Sequence, residues 1–129
     1  MRWLVLIPIL SGCAAVDFER VEESLNQYAQ SATKISALEN VLTGGALQSA
    51  IESAGLLEEL KISQSGIANF ELQEASGGKA KGCLDLSEVQ FVDAGGEYLP
   101  VQREPRVRFS ASYTPDFLIS ELEVSEQPC

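Results

Sequence analysis

At 129 residues and 45% hydrophobic content, the chain suits one domain with a modest core and is too apolar for wholesale disorder. Nineteen acidic side chains against nine basic ones give a net charge of −10, which excludes a surface that tracks nucleic-acid phosphates. Histidine is absent, so the usual general base near neutral pH, the Ser–His and Cys–His nucleophile pairs and the commonest metal ligand are all missing.

The chain opens with Met1, Arg2 and the apolar stretch WLVLIPIL, followed by small residues: the layout of an export signal. The stretch is shorter than the roughly 20 residues a membrane-spanning helix needs, and Pro8 interrupts it. Leu10-Ser11-Gly12-Cys13 directly after it resembles the lipobox of bacterial lipoproteins. That resemblance implies removal of residues 1–12 and a diacylglycerol on the Cys13 sulfur, anchoring the protein to a membrane outside the cytoplasm. In a double-membraned host, that membrane is the inner or the outer one. The competing reading is an ordinary signal cut near Ala14 or Ala15. Stable anchoring takes more than one acyl chain, which a diacylglycerol supplies. Cleavage before Cys13 removes Arg2 and leaves eight basic against nineteen acidic side chains, a net charge of −11. Anionic headgroups repel such a surface, so attachment rests on the lipid.

With Cys13 acylated, Cys83 and Cys129 remain as an even pair in an oxidising compartment and are expected to form a disulfide. Closing that loop is worth roughly 4 kcal/mol in the chain-entropy model.

Residues 13–16 read as a tether and residues 17–129 as a single domain. Asp17 is a good N-cap, and Phe18, Val21, Leu25, Tyr28, Ala32 and Ile35 recur at helical spacing, extending through Leu38 to Leu42. Glu39 and the weak seam residues Tyr28 and Ala32 favour a helix packed on its own sheet over a coiled coil, hence a monomer. A second helix is expected from Ala46 to about Leu60. From Ser65 the period becomes two: Ala68, Phe70 and Leu72 mark a strand with one buried face. Gly77-Gly78 turns the chain into a strand from Cys83, continued past a bulge near Ser87 and Glu88 through Val89 and Phe91. Asp93 to Gly96 is a hairpin turn leading to Tyr98 and Val101. Arg106 to Tyr113 alternates cleanly, Thr114-Pro115-Asp116 turns, and Phe117 to Val124 forms the last strand.

The expected fold class is α+β, with one or two N-terminal helices packed on an antiparallel sheet of four to five strands. The element order, and the closing stretch RVRFSASYTPDFLISELEV in particular, resembles cystatin-like and nuclear-transport-factor-like domains of small exported lipoproteins. That resemblance implies a concave sheet able to hold a pocket.

Asp85, Glu88, Glu121 and Glu123 read as the solvated face of the strands rather than a catalytic acid pair. Asp93 and Glu97 read as turn chemistry rather than a calcium loop. Phe70, Phe91, Phe109 and Tyr113 read as core, and Arg103, Arg106 and Arg108 as the one basic cluster. No cofactor, metal or catalytic residue is assigned. The expected function is a non-enzymatic module at the cell envelope, binding a protein or small ligand. The alternative is an inhibitor or exclusion lipoprotein that blocks a basic enzyme such as a lysozyme, or a superinfecting phage.

Overall fold

The computed structural model describes the backbone of residues 2–129 and side chains from Val16 onward. The side chains of Leu10-Ser11-Gly12-Cys13, and with them the expected lipidation at Cys13, lie outside what the structure describes. The first helix, α1, spans Arg2–Ser31. Val21, Leu25 and Ala29, four residues apart, are buried along one stripe, with Phe18 and Tyr28 packed beside them. Asp17 is therefore inside the helix rather than its N-cap, since Ala14-Ala15-Val16 holds nothing that interrupts helical backbone. Its carboxylate instead accepts a hydrogen bond from the Tyr113 hydroxyl at 2.9 Å.

The helix does not continue to Leu42. The Lys34 N–H bonds to the Ser31 carbonyl and turns the chain into a short α2, Ile35–Leu38. Leu38, Val41 and Leu42 still reach the core, but from across that turn. The apolar spacing was real, and tertiary packing rather than one helix satisfies it. A third helix, α3, spans Gly44–Glu59 and buries Ala46, Ala50 and Ala54, whose small side chains let it lie close to its neighbours. At its start the Thr43 N–H bonds to the Ile119 carbonyl, and the Ile119 N–H to the Val41 carbonyl.

Among the described residues, seven strands form two antiparallel sheets. The larger holds β2 (Asn69–Ser76), β3 (Lys79–Asp85), β6 (Arg106–Tyr113) and β7 (Ile119–Pro128), in the order β2-β3-β6-β7. The smaller holds β1 (Ser63–Ser65), β4 (Gln90–Val92) and β5 (Tyr98–Leu99), in the order β1-β4-β5. The α+β class holds, with helices packed against sheet, but the strands are divided between two sheets instead of forming one. One face of the larger sheet supplies Phe70, Leu72, Leu84, Val107, Phe109 and Ala111 to the core under the helices. Phe70 and Phe109 meet edge to face at 5.1 Å.

Three local devices account for the departures from simple alternation. Gly82 lets β2 approach so closely that a Cβ there would collide with the Glu71 carbonyl oxygen, and β2 bulges at this point, between Leu72 and Glu74. Gly66, at φ +81°, separates β1 from β2 where a Cβ would collide with the Glu88 carbonyl. After Asp85 the chain leaves the larger sheet instead of bulging and continuing. The Asp85 carboxylate accepts the Ser87 N–H at 2.9 Å, and the Leu86 N–H bonds to the Pro105 carbonyl. Val89 and Phe91 thus belong to the region of the smaller sheet, with Phe91 half-buried and outside the main core. The β4–β5 hairpin turns at Asp93, as its Gly-rich sequence requires. Phe117 lies in the β6–β7 turn with φ +63° rather than in the last strand.

Candidate functional site

The face of the larger sheet turned away from the helices is open. Its register sets Lys79 opposite Ser112, Lys81 opposite Ser110, Cys83 opposite Arg108 and Asp85 opposite Arg106. Glu71 and Glu74 lie beside this band on β2, while Glu121 and Glu123 lie beside it on β7. The result is a basic band two strands wide between acidic margins. Arg106 grips Glu71 with two charge-assisted bonds of 2.7 and 3.0 Å. Lys81 pairs with Glu74 at 3.3 Å, and the Lys79 ammonium donates to the Ser112 hydroxyl at 2.9 Å. Among the described residues no carboxylate pairs with Arg108. Two shallow hollows of about 590 and 820 Å³ run along this face and share Lys81, Ser110 and Glu123.

The pairing of Cys83 with Cys129 closes one end of the face. Their Cα atoms are 5.8 Å apart and the structure joins the sulfurs. Cys83 points to the open side yet is 1% exposed, and the Gln73 amide donates to its sulfur at 3.4 Å. The Cys129 N–H bonds to the Arg106 carbonyl, extending the ladder to the last residue. The hydrogen bond from Arg106 holds the Glu71 carboxyl below its usual value and raises Arg106 in turn. Hydrogen bonds from Ser87 lower Asp85.

A further concavity, about 180 Å³, lies on the helix side between the end of α1 and the two sheets. Tyr28, Phe70, Leu84, Phe91 and Val124 are among its walls, and Arg103 is at its rim. Burial pushes the Tyr28 hydroxyl above its ordinary value.

The structure divides the predicted basic cluster. Arg106 and Arg108 stand on the open face, while Arg103 belongs to the cavity on the other side. Lys79 and Lys81, which sequence reasoning passed over, join the two strand arginines. Strand alternation after the Gly77-Gly78 turn is the signal that places them, once the β3–β6 register is known. Glu121 and Glu123 are exposed on the open face as expected, and Glu88 is exposed in the turn after β3. Asp93 accepts the N–H groups of Gly95 and Glu97, so turn geometry accounts for it. Among the described residues no group of three potential ligands could hold a metal ion. Phe70, Phe109 and Tyr113 are core residues, and Tyr113 stacks on Phe117 at 6.0 Å with the Arg20 guanidinium over the Phe117 ring. Burial, then the bond to Asp17, raises the Tyr113 hydroxyl.

Among the described residues no helix is long and apolar enough to cross a membrane. No family model matches the chain, and no curated protein matches it significantly. Among solved structures it is similar to the intermembrane-space region of the chloroplast protein ARC6, with a TM-score of 0.55 at 17% identity, over 86% of this chain and 98% of that one. The likeness is one of fold: helices on antiparallel sheet, followed across most of both chains.

Proposed function

We propose that the protein is a lipid-anchored, non-enzymatic interaction module outside the cytoplasmic membrane, and that the open face of its larger sheet is where a partner docks. The observation that carries docking is the charge layout of that face. Four of the nine basic side chains in an acidic chain, Lys79, Lys81, Arg106 and Arg108, gather on its two central strands. Acidic margins on both sides confine the positive charge to a narrow band, which favours a partner of complementary layout over general adhesion. The lipobox at Cys13 supports the anchor. Among the described residues, the first side chain with a long-range bond is Asp17, four residues after Cys13. Four residues reach at most about 14 Å when extended and about 6 Å in a helix. The end of the domain holding Tyr113 and the β2–β3 turn therefore stands close to the bilayer, with the open face rising from it.

A photo-crosslinking residue at Ser110, in the middle of the face, tests the reading against one at Ser49 on exposed α3. Discrete adducts in the cell envelope from position 110 and none from position 49 are expected. Adducts from 49 alone would overturn the assignment of the face. The net charge of −10 favours a second reading, the inhibition of a basic enzyme such as a lysozyme. That reading requires an affinity that falls steeply with salt and depends on the exposed acids of α1, Glu19 and Glu23.

A further inference from the structure

We infer that the cavity between α1 and the two sheets is a binding site for a small amphipathic anion, with an apolar group of about benzene size inside and its carboxylate on Arg103. This is a small-molecule site, separate from the docking face and independent of that reading. Three alanines, Ala29, Ala32 and Ala68, leave the space, and Phe70 and Phe91 supply aromatic walls. The volume of about 180 Å³ exceeds the roughly 150 Å³ of an apolar cavity that stays dry and takes up benzene. It falls below the roughly 300 Å³ at which drug-sized ligands begin to fit. One ring or a short branched chain is the matching occupant.

The rim determines the charge. Arg103 lies in the segment between β5 and β6, and its Nη2 donates to the Leu86 and Val89 carbonyls at 3.2 and 2.9 Å. Its guanidinium also stands 6.0 Å from the centre of the Phe91 ring. These contacts hold the group in place and occupy Nη2, which both two-bond edges of a guanidinium share, so Nε or Nη1 is left to give a carboxylate a single charge-assisted bond. Among the described residues no carboxylate pairs with Arg103, although the chain carries nineteen. Tyr28 adds a third aromatic residue to the lining, with its ring 6.0 Å from that of Phe70. A positioned cation over an apolar hollow selects a molecule with an apolar body and an anionic end.

The test is calorimetric titration of the full chain with 3-phenylpropanoate and with 3-phenylpropan-1-ol, which has the same ring and no charge. The carboxylate is expected to bind at least 10-fold more tightly than the alcohol, as a charge-assisted hydrogen bond provides. Arg103→Gln should remove that preference, Arg103→Lys should keep most of it, and Ala68→Leu, which fills the cavity, should weaken both probes. Equal affinity of the two probes for the native protein, binding of neither, or undiminished binding by Ala68→Leu would each overturn the proposal. The comparison of probes on the native protein needs no variant and stands even if Arg103→Gln does not fold.

Discussion

Replacing Leu25 by Ala tests whether α1 is part of this domain's own core. Leu25 is 0% exposed, and its stripe neighbours Val21 and Ala29 are 0% and 7% exposed. Truncating a buried leucine costs about 2–5 kcal/mol, and the cost rises with the cavity the surroundings fail to close. Here closure is hindered. The Asp17–Tyr113 bond ties one end of the helix segment, and the bond from the Ser24 hydroxyl to the Phe117 carbonyl, 2.7 Å, ties its middle. We expect the upper half of the range, about 3–5 kcal/mol. Leu56, 54% exposed on α3, is the control: the same truncation there should cost less than about 1 kcal/mol. Urea unfolding of chains that start at Ala14, followed by circular dichroism, measures both. Repeating it over about a hundredfold range of protein concentration separates packing within one chain from association. Equal small costs at the two positions, or a midpoint that climbs with concentration, would refute the packing of α1 on its own sheet.

Other outcomes follow from the sheet and its closure. Reducing the Cys83–Cys129 link, which spans 46 residues, should lower stability by about 4 kcal/mol in the chain-entropy model, read as a shift in the urea midpoint. Gly82→Ala should destabilise by about 1–3 kcal/mol through the clash with the β2 backbone, and amide exchange should quicken at Glu71 to Gln73 first. Glu71 has its carboxyl held low by Arg106, so its stabilising contribution is complete above its unfolded pKa of about 4.3. It is lost as pH falls through the lowered folded value, and Glu71→Gln should flatten the acid limb of the stability profile in that window.

Legibility from sequence followed the range of the interactions involved. The β6 strand was read to the residue because Val107, Phe109 and Ala111 alternate with charged and polar residues without a break. The division of the strands between two sheets has a tertiary origin that local alternation does not carry. Val89 and Phe91 have strand-like character, yet the Asp85–Ser87 turn and the Leu86–Pro105 bond carry them into another sheet. Likewise Leu38 and Leu42 continue the helical period of α1 although the chain turns before them, because a periodic pattern does not say whether one helix or two satisfies it. The basic band was hidden for the same reason. Lys79 and Lys81 are some 25 to 30 positions from Arg106 and Arg108, and only the β3–β6 register sets them side by side. The cavity was not legible at all, since its lining joins Ala29 and Ala32 at the end of α1 to Ala68 and Arg103, which are far away in sequence.

The most direct test of anchorage outside the cytoplasm is the intact mass of the protein taken from the membranes of its own host, before and after reduction. The expected species is a chain of residues 13–129 carrying a diacylglycerol on Cys13, with a gain of two hydrogens on reduction as Cys83 and Cys129 separate. An N-terminus beyond Cys13 without lipid, or free thiols at Cys83 and Cys129 before reduction, would contradict it.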